Sequence, residues 1–283
     1  MEISASAAVD SALVGQIAPS PVGSGFLPPK VRHDWPNVEL EQRTGLGIVT
    51  RALGLDVSSV FQPIVTPDGT LYGEEALLRA RSQGLKISPE SVFRIAAAQG
   101  ALVAFDRLAR TLHLINFISG PAPRGRLHLN VHPRLLGEVT QHGVVFEEIL
   151  HSVSWSLSQV TLEFQKGEAS YGDFAQLQRA VNNYRRRGYG IALDDFGDYP
   201  LRQLDGLLSL APDVVKLDWQ QLSGSSASAR KGLGTLVGLL HEQGAQVVVK
   251  GIETADQRDA AIDLGADLLQ GYFLGRPQPV VQR

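Results

Sequence analysis

Ile191-Ala192-Leu193-Asp194-Asp195-Phe196-Gly197 is an apolar run that stops on two adjacent carboxylates. Neighbouring acids repel, and neither helix nor strand propensity favours the pair. One reason to keep it at the end of a buried strand is a divalent cation; the other is a helix N-cap followed by an acidic first turn. Further apolar runs carry single polar residues in the same way. These are Glu75 in Glu74-Glu75-Ala76-Leu77-Leu78-Arg79, Asn130, Glu163, Lys216 in Val214-Val215-Lys216-Leu217-Asp218, Lys250 in Val248-Val249-Lys250-Gly251, and Gln270. A carboxylate and amide set of this kind suits Mg²⁺ or Mn²⁺ rather than Zn²⁺. His128, Asn130 and His132 alternate and so share one strand face, which reads either as a histidine metal site or as packed and surface polar groups. His33-Asp34 is too isolated for a metal-dependent hydrolase motif. Gly23-Ser24-Gly25 follows no strand and opens no helix, so it is no phosphate loop.

Something must bring these residues together. Strand patterns fall at 60–65, 71–78, 126–131, 159–164, 190–193, 213–217, 246–249 and near 267–269. Helical patterns fall at 90–98, 102–117, 144–153, 173–187, 201–210, 229–243 and 255–264. Thr66-Pro67-Asp68-Gly69 is a tight-turn sequence, so the first two strands should pair antiparallel. The rest alternates strand and helix, which implies parallel strands with crossover helices. That many units predict a closed α/β barrel of the TIM type, (β/α)8, with one antiparallel strand near its start. In such a barrel, polar residues at the C-terminal strand ends are the functional candidates.

Residues 1–36, interrupted by Pro19, Pro21, Pro28 and Pro29, read as a flexible tail. Residues 37–56 read as a short helical lead-in, with Leu46, Ile48, Val49 and Leu53 as its apolar face, and 57–283 as the functional domain. The absence of cysteine excludes disulfides, thiolate metal sites and cysteine nucleophiles. A formal charge of −3 and sparse aromatics give no reason to expect a nucleic acid polymer or an anionic membrane. No apolar run reaches the ~20 residues of a membrane helix, and the N-terminus lacks the features of a secretory signal. A cytoplasmic protein is the expectation.

The ordered motifs Phe61-Gln62-Pro63-Ile64-Val65, Glu75-Ala76-Leu77-Leu78-Arg79, Leu129-Asn130, Leu162-Glu163, Asp194-Asp195-Phe196-Gly197, Lys216-Leu217-Asp218, Gly251-Ile252-Glu253-Thr254, Gln270-Gly271-Tyr272 and Gly275-Arg276-Pro277 resemble the EAL domain family of cyclic-di-GMP phosphodiesterases. The resemblance implies a two-cation hydrolysis of cyclic di-GMP to linear pGpG. Glu75, Asn130, Glu163 and Asp194 resemble the first-metal ligands, with Mg or Mn as the ion. Asp195 resembles a ligand of the second. Lys216, with Glu75 and Asp195, matches the catalytic set, and Gln62, Arg79 and Gln270 match ligand-binding positions. A protein partner and a homodimer are open expectations.

Two departures set the chain apart. The family usually reads Ala-Glu-Gly-Val-Glu-Thr where this chain has Val249-Lys250-Gly251-Ile252-Glu253-Thr254, so a metal-ligating glutamate is replaced by Lys250. An ammonium cannot coordinate a metal. The expectation is that the second metal is lost, and that Lys250 pairs with Asp195 and a phosphate oxygen of bound ligand. The other departure is Lys166, where the family has Glu, together with Asp198-Tyr199-Pro200-Leu201-Arg202-Gln203 in place of its usual Thr-Gly-Tyr-Ser-Ser loop. A Lys166–Asp198 ion pair would refasten that loop. The chain is thus expected to bind cyclic di-GMP or a protein as a regulatory module with lost or strongly reduced hydrolysis. A slow but working phosphodiesterase is the alternative.

Overall fold

In the computed structural model the described residues are 27, 29–120, 125–132, 135, 144–165, 174–196, 204–220 and 227–280. A short helix α1 (Pro29–Asp34) precedes strands β1 (Leu40–Arg43), β2 (Gly47–Ala52), β3 (Leu55–Val65), β4 (Leu71–Ser82) and β5 (Leu85–Ile87). Helices α2 (Pro89–Ala98) and α3 (Leu102–Ile118) lead into β6 (Arg126–Val131), α4 (Val144–Ser152), β7 (Val160–Phe164), α5 (Phe174–Arg187) and β8 (Gly190–Leu193). The chain closes with α6 (Leu204–Leu208), β9 (Val214–Asp218), α7 (Ala227–Glu242), β10 (Gln246–Lys250), α8 (Ala255–Asp263) and β11 (Leu268–Leu269).

Eight strands close a ring in the order β3, β11, β10, β9, β8, β7, β6, β4, with β4 returning to β3. Strand β3 is antiparallel to both neighbours and the other ring contacts are parallel. This is the expected TIM-like barrel with its one reversed strand. The reversal follows from the 66–69 turn, where Gly69 donates to Thr66 O at 2.9 Å and Asp68 Oδ1 accepts from Thr70 N at 3.0 Å. Strands β7 to β10 are buried almost end to end, as parallel strands covered by helices must be. Helix α8 starts where Thr254 caps Gln257 N and Gln257 caps back, a capping box that fixes how the chain leaves the Lys250 strand end.

Residues 37–56, expected as a helical lead-in, instead carry β1, β2 and the start of β3. The apolar spacing suited a helix, but Ile48 and Val49 are both buried, one on each face of β2. Asn116 of α3 holds Ile48 open as a strand: its Oδ1 accepts from Ile48 N and its Nδ2 donates to Ile48 O, both at 2.8 Å. Gly47 enters that strand at φ 79°, and a Cβ there would lie 2.4 Å from Asn116 Oδ1. The described part of the 1–36 tail is also built in. Leu27 and Val31 are buried, Trp35 Nε1 donates to Ala104 O at 3.0 Å, and Asp34 pairs with Arg107 at 3.2 Å. Proline at the first helical position starts α1 rather than preventing it. Residues 1–26 lie outside the described residues.

Gly271, beside Gln270, passes against Ile252: an added Cβ would lie 2.0 Å from Ile252 O and 2.3 Å from its N. Both obstacles are backbone and cannot swing aside. Gly271→Ala should therefore cost ~1–3 kcal/mol, read as a lowered urea midpoint.

Candidate functional site

The barrel gathers the strand-end residues at one mouth. Glu75 lies in β4, Asn130 in β6, Glu163 in β7, Asp194 just past β8, Lys216 in β9, Lys250 at the end of β10 and Gln270 just past β11. Glu75 is in register with Gln62 and His128, and Asn130 with Glu163.

Lys216 is the centre of the inner layer. It is completely buried, with Nζ 2.8 Å from Glu75 Oε2 and 2.5 Å from Glu163 Oε1. Glu75 also accepts from Gln270 Nε2 at 2.8 Å and Asn130 Nδ2 at 2.9 Å. Burial alone would raise its pKa. The Lys216 charge and the three hydrogen-bond donors outweigh that and hold it at about 2, against an ordinary 4.5. Burial likewise opposes the charge on Lys216, but Glu163, Glu75 and Asp194 win and raise it above the ordinary 10.5.

Lys250 dominates the outer layer. Its Nζ lies 2.7 Å from Asp194 Oδ1 and 2.6 Å from Asp195 Oδ1. Burial again works against the ammonium, and the two aspartates, Asp194 foremost, raise its pKa above the ordinary range. Asp195 reaches Lys250 because its backbone adopts φ 51°, a left-handed conformation that aspartate tolerates better than most residues. In that turn its N–H donates to Asp194 Oδ1 at 2.8 Å.

These shifts fix the acid side of the stability profile. Glu75, with its pKa depressed, stabilises the fold fully above pH 4.5 and loses that contribution as pH falls through about 2. Buried His113, bonded through Nδ1 to Ser59 Oγ at 2.8 Å, is pushed down to about 3 by burial and then by Arg110 and Arg79. Its contribution fades as pH falls from 6.5 through 3. The lysines, raised, contribute fully below pH 10.5 and lose that contribution as pH climbs above it. Urea midpoints should stay level between about pH 7 and 10 and fall continuously below. A curve level down to pH 3 would contradict both assignments.

Two further residues, His128 and Gln165, complete the network. His128 Nδ1 bonds Glu163 Oε1 at 2.8 Å, so His128 holds a carboxylate in place; the histidine metal reading placed it as a ligand instead. Gln165 Nε2 donates to Asn130 Oδ1 at 3.1 Å and to Asp194 Oδ2 at 3.3 Å. Gln165 has no spacing signal, and the alternation of His128 with Asn130 and His132 pointed to a ligand role; register across neighbouring strands reveals what both do. His132 is tilted against Phe93, with ring centroids 4.7 Å apart, and lines the larger of the two cavities at this mouth. Two cavities open here. One of about 360 Å³ is lined by Gln62, Glu75, Asp194, Lys250, Gln270 and Tyr272, and one of about 510 Å³ by Arg79, Phe93, Asp106, Arg110, His113 and Asn130, among others. Gln62 donates to Gly275 O at 3.2 Å and Arg79 to Leu78 O at 2.9 Å, so both line walls rather than join the charged centre. Lys166 and Asp198, and with them the proposed ion pair, lie outside the described residues.

The donor set can be tested against a metal. Among the described residues no three acidic or imidazole groups already form a cage. The reason is visible: the donors are engaged by Lys216, Lys250 and Gln165. Four carboxylates against two ammoniums leave a formal charge of −2, which one divalent ion would neutralise. Among the described residues Glu163 Oε2 is buried without a hydrogen-bond partner, an oxygen still open to a ligand bond. Glu75, Asn130, Glu163 and Asp194 thus fit one hard cation, while the Lys250 ammonium occupies the aspartate pair that a second would need.

A sequence profile described as EAL domain matches residues 49–277, most of the chain. The chain belongs to the EAL domain family. Among its relatives, the cyclic di-GMP phosphodiesterase RocR of Pseudomonas aeruginosa is 29% identical over 262 residues, 88% of this chain and 64% of RocR. The chain therefore spans less than two thirds of that relative. Bacillus subtilis YkuI, an EAL-domain protein solved with substrate cyclic di-GMP and calcium, superposes with TM-score 0.67 at 25% identity, covering 79% of this chain and 56% of YkuI. The Pseudomonas aeruginosa MucR phosphodiesterase in complex with cyclic di-GMP gives TM-score 0.64 at 27% identity, covering 80% of this chain and 93% of the other. Among the described residues no helix of this EAL domain is long and apolar enough to cross a membrane.

Proposed function

We propose that this EAL domain binds cyclic di-GMP as a regulatory module and has lost most of its capacity to hydrolyse it. The observation that carries the reading is the Lys250 ammonium held between Asp194 and Asp195 at 2.7 and 2.6 Å. With glutamate at that position, as the family pattern has it, the same side chains would carry −4, matched by two divalent ions. Here they carry −2, matched by one. A resident Mg²⁺ or Mn²⁺ on Glu75, Asn130, Glu163 and Asp194 would lower the pKa of a bound water, but the second positive centre is a fixed ammonium that generates no hydroxide.

Lys250 can still serve the ligand. A fifth of its side chain is exposed, and it lines the smaller cavity with Gln62 and Gln270, so an anionic phosphate entering there meets an ammonium. Arg79 lines the adjoining cavity. RocR's activity and the nucleotide bound to YkuI and MucR support cyclic di-GMP as that ligand. A module that binds without turnover passes its signal to a protein partner or through a second copy of itself.

Calorimetry with cyclic di-GMP in EDTA and then in Mg²⁺, with chromatography for pGpG, tests the reading. Binding is expected in both, with pGpG forming at least ~100-fold more slowly than a two-cation site would give, about 2.7 kcal/mol of barrier. Rapid turnover would overturn it, and absence of binding in both buffers would leave a protein-binding module. One observation favours the alternative of a slow hydrolase: Lys216, Glu75 and Glu163 are fully assembled.

A further inference from the structure

Gln165 makes two bonds that the catalytic pattern does not explain. Its Nε2 stands where Asn130 Oδ1 and Asp194 Oδ2 converge, 3.1 and 3.3 Å away. The amide orientations are fixed by charge. Glu75 Oε1 is an anionic acceptor, so Asn130 must present its Nδ2 there and turn Oδ1 toward Gln165. Asn130 Oδ1 and Asp194 Oδ2 then both need a donor, and the Gln165 NH₂ supplies it. A neutral amide thereby occupies the oxygens that a hard cation would take.

We propose that Gln165 is the group a divalent cation must displace from Asn130 and Asp194, and that it sets the affinity of the single cation site. The proposal rests on the one-cation reading above. Lys250 bars one position with a charge, whereas Gln165 covers the other with an exposed side chain that is free to leave. Gln165 lines both cavities, which among the described residues share Glu75, Leu77 and Gln165. Its departure thus opens the partition between them, coupling cation entry to room for a ligand longer than either cavity.

The test is a Mn²⁺ titration by electron paramagnetic resonance without nucleotide, on the whole chain and on Gln165→Ala and Gln165→Met. Methionine keeps the length and apolar bulk while removing the NH₂ donor. Both variants should bind one Mn²⁺ per chain at least 10-fold more tightly than the parent, with unchanged urea midpoints in EDTA. Equal affinity in all three proteins would overturn the proposal and leave the one-cation reading standing. Weaker binding in the variants would overturn it too, making Gln165 a support for the site instead of a competitor. No Mn²⁺ uptake by any of the three would remove the one-cation reading and the proposal with it. Two ions on the parent chain would remove that reading alone if the variants still bind more tightly.

Discussion

Replacing Lys250 by glutamate should bring back a second divalent cation and raise pGpG formation by two or more orders of magnitude. The substitution moves the formal site charge from −2 to −4. Without metal, five carboxylates then face Lys216 alone, and Asp194 and Asp195 lose the cation 2.6–2.7 Å away. Lys250→Glu should therefore melt lower than the parent in EDTA and be rescued by Mn²⁺. Binding to the native state alone stabilises by about 2.7 kcal/mol at 100 times the dissociation constant. Mn²⁺ stoichiometry should rise from one to two, and chromatography should show the gain in pGpG. If a second ion binds and turnover stays flat, the lesion lies in the rebuilt segment 198–203, not at Lys250.

Loss of the inner lysine should cost more in stability than any other single change at the site. Lys216 is fully buried, with Glu75 and Glu163 at 2.8 and 2.5 Å. Lys216→Met preserves most of the volume but leaves two carboxylates buried without their cation, an imbalance that costs about 3–5 kcal/mol. Urea denaturation at pH 7 reads it directly. Adding Glu163→Gln to Lys216→Met should recover part of the loss, because it removes one of the stranded charges. Strictly additive costs would mean that Lys216 and Glu163 are not coupled. Turnover should vanish in Lys216→Met, including any residual slow hydrolysis.

Much of the barrel was legible because its parallel strands are buried on both faces and read as apolar runs capped by one polar residue. Those caps, from Glu75 round to Gln270, proved to share one mouth. The region before residue 57 was misread for two local reasons. Ile48 and Val49 fill both faces of a strand, which mimics a helical cluster, and the partner that opens the strand, Asn116, lies 68 residues away. Proline at the start of α1 looked like a breaker and serves as a first-turn residue. Within the site, Lys250 was readable as a cation beside Asp195, whereas its equal hold on Asp194 was not, nor was the left-handed turn that brings Asp195 to the same ammonium. His128 was legible only as a candidate metal ligand and Gln165 not at all, because their roles come from register between neighbouring strands, which no local pattern encodes.

The Lys250 ion pair also constrains how this sequence can drift. Lysine and glutamate codons differ by one base, so the chain stands a single transition from the family's pattern. Yet the double aspartate now serves as the counterion of a lysine. Losing Lys250 to a neutral residue strands Asp194 and Asp195 beside each other, and losing either aspartate weakens the anchoring of a half-buried ammonium. Each partner thus penalises the other's replacement even where hydrolysis is no longer selected. A motif catalogued as the mark of an enzyme can in this way be held in place by an ion pair, independently of turnover.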